Sequence, residues 1–202
     1  NNQFDTIYHE HYSYLSFTVV CNIFDFNGLV VFDVEQIPTH GGSLRVYAQL
    51  SDSGGYKINT NVLDLLEKED QAGINSIDTY RGFQKQAEDI KTSFLSFLNQ
   101  AKNNAHSVVG YGAAAKGSTL LNFSGVRPDL LPYVVDKSDA KQDKFMPGSR
   151  VPIMSETQLK KDKPDYIVIF PWNIQDEIIQ QLAYIREWGG KFVIFIPSLQ
   201  VI

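Results

Sequence analysis

The stretch His106–Gly125, HSVVGYGAAAKGSTLLNFSG, decides the fold. An apolar run at Val108 and Val109 leads into a turn with Gly110 and Gly112, and residues suited to a helix start follow. This is the order that a phosphate-cradling strand, loop and helix require. A strict GxGxxG would put glycine where Ala115 stands. Alanine is the tolerated substitute there, because that position lets helix and strand pack closely. The next element, Leu131–Asp136 (LPYVVD), is a short strand ending in a carboxylate. Asp136 stands near the offset, roughly 20 residues past the loop, at which dinucleotide folds bind a ribose. The competing reading is a plain parallel α/β unit whose glycines only make a tight turn.

Downstream, strands alternate with helices: Ser107–Tyr111, Leu131–Val135, Val151–Met154, Tyr166–Phe170 and Phe192–Ile196. The runs Ile167–Phe170 and Phe192–Phe195 are continuously apolar, as strands covered on both faces must be. Between them Asn173 is expected to cap a helix carrying Ile174, Ile178, Leu182 and Ile185 on one face, with Gly189 and Gly190 past its end. The pattern predicts an α/β fold with an open, parallel, Rossmann-like sheet and flanking helices.

Upstream, Ser13–Phe26 has near-helical apolar spacing and ends at Asn27 and Gly28, a good stop. Two strand-like runs, Leu29–Ile37 and Ser43–Leu50, read as a hairpin because apolar and polar residues alternate in the second. Ser51–Gly55 (SDSGG) is the clearest linker. Beyond it the spacing predicts a helix over about Asn61–Gln71 and a long one from the cap at Asn75 and Ser76 to about Asn104. The long one carries a stripe from Ile77 through Phe83, Ile90 and Phe94 to Ala101, read as a packing strut.

Composition narrows the classes. The 202 residues are 43% apolar and 20% charged with net charge −5, so no broad basic face is implied and nucleic acid is not expected as a partner. Cys21 is the single cysteine, which removes a disulfide framework and a multi-cysteine zinc site within the chain. No apolar run approaches the roughly 18 residues that span a bilayer, so a cytoplasmic protein is expected. The chain begins with Asn1 rather than methionine and its first motif starts almost at once, so a fragment is expected.

Tyr8-His9-Glu10-His11 is the densest cluster of ionisable groups. It lacks the two intervening residues that set two zinc-binding histidines one helical turn apart, so no metal site is expected. Proton transfer fits better: Tyr8 and His11 would be neighbours on one helical face, with Glu10 to orient or stabilise a histidine. The bland alternative is a polar helix start. Lys116 could reach a diphosphate, although AKGST reverses the Gly-Lys order of a P-loop. Ser118 and Thr119 could donate to phosphate or cap the helix, and Asn122 could face a ligand or bond backbone. The loops after Asp136 and at Pro171-Trp172-Asn173 share the ligand-binding edge.

These segments together carry a resemblance. FDTIYHEHYSYLS, PTHGGSLRVYA, GYGAAAKGSTLLN, VVDKS, KPDYIVIFPWN and QLAYIREWGGKFVIFIP look like the sugar C-methyltransferases. These use S-adenosyl-methionine to methylate a carbon of a dTDP-linked ketodeoxysugar. The resemblance implies a parent of three parts: a cysteine-ligated zinc domain, a central methyltransferase domain, and a C-terminal Rossmann-like domain that helps hold the nucleotide sugar. Residues 1–55 would then be the end of the central domain, 56–105 a helical connector and 106–202 the C-terminal domain. S-adenosyl-methionine and zinc would be bound mainly by the missing upstream domains. The family's active-site tyrosine, glutamate and second histidine match Tyr8, Glu10 and His11, with His11 as base. Gly110, Gly112, Lys116, Ser118 and Asp136 would hold the substrate. Ala114 and Ser118 depart from the proline and asparagine usual in that loop. The alternative is a nucleotide-sugar or NAD-binding module without methyl transfer.

Overall fold

The computed structural model describes residues 3–202. Asn1 and Asn2 lie outside the described residues, so the expectation attached to the chain's first residues finds no structural counterpart. The chain divides into two compact units: the residues up to His11 together with Lys85–Ile202, and Tyr12–Gln84.

In the smaller unit the helix α1 (Phe17–Phe26) leads into the antiparallel hairpin β1 (Leu29–Ile37) and β2 (Ser43–Leu50). Ser16 caps α1 through Val19 N–H. Glu69 of α2 (Thr60–Gln71) adds a carboxylate at the same end, accepting the N–H groups of Phe17 and Thr18, both at 2.7 Å. A negative charge at this position satisfies donors that the helix leaves open and complements its dipole. Phe17, Val31, Val34, Val62 and Leu65 form the core, with Cys21 packed against it. The long helix expected from Asn75 onward is instead interrupted at Gly82. Its pieces are α3 (Ile77–Arg81) and α4 (Phe83–Asn103), and the apolar stripe is buried only from Ala87 to Ala101, with Ile77 and Tyr80 exposed. Glycine inside a helix gives up backbone entropy and side-chain packing, so a break there costs little.

The larger unit is built on a six-stranded sheet, β3 (Val108–Tyr111), β4 (Val134–Val135), β5 (Ile153–Met154), β6 (Tyr166–Ile169), β7 (Lys191–Ile194) and β8 (Gln200–Val201). Their spatial order is β5-β4-β3-β6-β7-β8, parallel except for β8, which pairs antiparallel with β7. The sheet is therefore Rossmann-like and mostly parallel, with an antiparallel edge that the sequence reading lacked. At two residues β8 is too short to show a period.

Alternation along the strands sorts the core into two layers. Val168, Phe170, Val193 and Phe195 face α4 and α5 (Ala115–Ser124), whereas Ile167, Ile169 and Phe192 meet Leu159 of α6 (Glu156–Asp162) and Ile178 of α7 (Gln175–Gln181). Asn173 is not the cap expected of it. It lies inside a 3-10 turn, Trp172–Ile174, and Ile174 occupies the cap position of α7 without a side-chain bond. Pro171 supplies a preset φ that favours a tight turn before the helix proper.

The strand order reverses around β3: the chain moves outward through β4 and β5, then returns to β6 on the other side of β3. In open α/β sheets the crevice at such a reversal, beyond the carboxyl ends of the strands, is where ligands bind. Its walls here are the loop between β3 and α5 and the loop Phe170–Trp172 after β6.

Candidate functional site

Tyr8–His11 is a turn rather than the helix expected, closed by His11 N–H to the Tyr8 carbonyl at 3.0 Å. It follows a 3-10 turn, Phe4–Thr6. The turn still brings Tyr8 and His11 together, with ring centroids 4.3 Å apart. His11 and Glu10 are exposed and Tyr8 is half-buried. His9 Nε2 lies 3.8 Å from Glu10. His11 Nδ1 is 2.8 Å from the Thr6 carbonyl oxygen. A carbonyl can only accept, so in the neutral ring the proton sits on Nδ1.

The glycine loop is shaped by close approaches. Gly112 has φ of +88°, and a Cβ there would sit 2.5 Å from Pro171 Cδ. Close packing against Phe170 is found two residues beyond Ala115, at Gly117, where a Cβ would stand 2.8 Å from Phe170 Cγ. Gly110 faces the same ring from β3, with a Cβ 2.5 Å from Phe170 Cε2. Gly117 was legible in AKGST as a glycine in the first helical turn, but its partner is more than fifty residues away.

Asp136, 9% exposed, turns back onto its own loop. It accepts from Ala113 N–H at 2.7 Å, Ser138 N–H at 2.9 Å and Lys141 Nζ at 3.1 Å. The carboxylate expected to meet a ribose thus ties the end of β4 to the glycine loop. Ser118 Oγ lies 3.4 Å from the Ala114 carbonyl, and Asn122 bonds the carbonyls of Ser118 and Pro147. Ala114, at the cap position of α5, provides no side-chain acceptor.

Lys116 points inward. It is 9% exposed, with Nζ 4.6 Å from the centroid of the Trp172 ring. Trp172 Nε1 donates to Asp5 Oδ2 at 2.8 Å, and Asp5 is 1% exposed. Burial raises the Asp5 carboxyl above its ordinary range, opposed by the tryptophan hydrogen bond and the Lys116 charge. Burial lowers the Lys116 ammonium, opposed by Asp5. Asp5 Oδ1 has no hydrogen-bond partner. Asp5 and the role of Trp172 escaped the sequence reading; the only signal was a lone acid directly after Phe4 in FDTI.

Residues 38–197 match the family model described as the C-methyltransferase C-terminal domain. The chain belongs to this family. The C-methyltransferase NovU of Streptomyces niveus is 37% identical over 202 residues, all of this chain and 48% of that protein. The chain therefore spans about half the length of the curated relative it matches. The exposed turn Tyr8–His11 precedes the residues that the family model matches, and it stands on the same compact unit as the glycine loop. Among the described residues no group of three or more His, Cys, Asp or Glu side chains could hold a metal ion, and no helix is long and apolar enough to cross a membrane.

Proposed function

We propose that this chain is the C-terminal part of a SAM-dependent C-methyltransferase acting on a dTDP-linked ketodeoxysugar. Residues 1–55 would close the methyltransferase domain, 56–105 connect, and 106–202 hold the nucleotide sugar. The observation that carries the reading is His11: its Nδ1 proton is committed to the Thr6 carbonyl while its ring is exposed beside Tyr8.

A C–H bond next to a ketone is acidified because its anion is an enolate. His11 Nε2 takes that proton, and the Tyr8 hydroxyl and Glu10 orient the imidazole and the developing charge. S-adenosyl-methionine supplies the electrophilic methyl group, held by the part of the parent that this chain does not span, as zinc would be. The carbon made nucleophilic by proton loss must be aligned with that methyl, and a rigid base turn contributes to the alignment. Gly110, Gly112 and Ser118 shape the loop that faces the diphosphate, Lys116 adds positive charge behind it, and Asp136 holds it through Ala113. Exposed Val19, Ile23, Leu44 and Leu50 on α1 and β2 support the view that the smaller unit belongs to a larger domain, since a two-stranded ribbon is marginal alone.

In the full-length enzyme, His11→Ala is expected to abolish methyl transfer and leave affinity for S-adenosyl-methionine nearly unchanged. Turnover surviving within a few-fold would sink the assignment. Titrating the chain with a dTDP-sugar and with NAD tests the binding arm. Tight NAD binding with no response to dTDP or its sugars would favour the dinucleotide module instead.

A further inference from the structure

In an open α/β sheet the crevice at the strand-order reversal normally receives a ligand. Here a piece of the chain itself enters between the two loops that bound it. Asp5 contacts Trp172 from the loop after β6, and its charge faces Lys116 from the first turn of α5. Phe4 is buried beside it, its ring centroid 5.1 Å from that of Phe123. The Ile7 carbonyl lies 3.4 Å from Thr119 Oγ1 on the same helix. The next residues are the base turn: the Thr6 carbonyl receives both Tyr8 N–H at 3.1 Å and the His11 ring at 2.8 Å.

We propose that Asp5, Lys116 and Trp172 form a positioning device that seats the Tyr8–His11 turn in the crevice and thereby fixes the tautomer and orientation of His11. It rests on the reading of His11 as the base. The cost of the arrangement is its best support. A carboxylate and an ammonium are both about nine-tenths or more buried with one carboxylate oxygen unpaired, an expense that plain apolar packing would avoid. A lysine serving as an outward phosphate ligand would keep its ammonium in solvent, whereas this one lies under an indole. Buried polar groups of this kind act by specifying one geometry where apolar contacts allow several. The geometry they specify here is the height and direction of the Thr6 carbonyl, one residue after Asp5.

The test labels histidine with 15N in the full-length protein and reads the ring shifts of His11. The expected wild-type signature is the Nδ1–H tautomer. In Asp5→Ala and in Trp172→Phe that tautomer should give way to the Nε2–H form that dominates in free histidine. Asp5→Asn, which keeps an acceptor for Trp172, should restore most of the wild-type signature. An unchanged His11 spectrum in a folded Asp5→Ala or Trp172→Phe protein overturns the proposal. Should Asp5→Ala fail to fold, Trp172→Phe, which keeps an aromatic ring, decides alone. In turnover, Trp172→Phe should lower kcat by roughly 100-fold, the scale of a misplaced catalytic group, with KM for the sugar little changed. A rise in KM with kcat unchanged also overturns it, because that is the behaviour of a substrate contact. If His11→Ala keeps turnover, the base assignment falls, and the tautomer response still reports separately on the positioning.

Discussion

Gly117→Ala is the substitution whose outcome the packing fixes most sharply. An added Cβ would lie 2.8 Å from Phe170 Cγ and 3.0 Å from both Cβ and Cδ2. Comfortable carbon contacts are about 3.5–4.0 Å, so the ring would have to retreat by roughly 0.5–1 Å. Phe170 is 2% exposed, and Gly110 presses on its far edge. Overpacking of that kind costs about 1–3 kcal/mol. Against it stands the gain of about 0.5–1 kcal/mol when alanine replaces glycine in a helix. The clash wins, for a net loss of roughly 1–2 kcal/mol. Phe170→Ala alone should cost about 3–5 kcal/mol. In that background the Cβ of residue 170 remains but has room to yield. Gly117→Ala should then stabilise, and the sign of its effect reverses. Urea unfolding followed by tryptophan fluorescence suits the measurement, because Trp172 and Trp188 both lie in the unit that contains the glycine. Gly117→Ala as stable as the wild type, or effects that add within about 0.5 kcal/mol across the cycle, would refute the wedge.

Two further outcomes follow from hydrogen bonds. Asp136 accepts two backbone N–H groups, and an asparagine offers one acceptor and would turn an NH2 toward the other. Asp136→Asn should therefore cost about 1–3 kcal/mol, nearly as much as Asp136→Ala, in the same urea assay; an Asn variant of wild-type stability would show that Asp136 does not hold the loop. Asp165 accepts Ser107 N–H at 2.7 Å and its hydroxyl at 2.8 Å, and the backbone bond leads in holding its carboxyl below the ordinary range. A depressed folded value means stability present above the unfolded pKa of about 3.9 and lost as pH falls through the folded value. The urea-midpoint gap between wild type and Asp165→Ala should accordingly be largest near neutral pH and close in acid; a gap that persists below both values contradicts the assignment.

The fold was legible where periodicity is long and local. The hairpin Leu29–Ile37 and Ser43–Leu50, the two continuously apolar strands and the loop at Gly110 and Gly112 all stand where spacing put them. Legibility failed where a distant partner decides. The break at Gly82 and the capless start of α7 after Trp172 depend on what the segments pack against. In the candidate site, residue types were readable and their directions were not. Asp136 and Lys116 were both expected to face a ligand, yet one turns to its own loop and the other to an indole. No sequence pattern shows which way a side chain turns when the group that receives it lies far along the chain.

Asp136 and Asp5 explain how one sheet topology can change its use. In a dinucleotide fold the carboxylate after the second strand is free for a ribose and the crevice is open to the cofactor. Here the carboxylate is engaged by Ala113, Ser138 and Lys141, and Asp5 stands between the loops with its Trp172 bond made. Both changes are local, and neither disturbs the strand order. Each removes one element of dinucleotide recognition and replaces it with a contact inside the protein. The rigid loop that a cofactor would have used as a cradle becomes, on the reading proposed above, an anvil for the base turn. On that same reading, nucleotide binding at the outer rim of the loop and proton transfer at His11 would depend on one structural element, α5. Any substitution that shifts α5 is expected to move both.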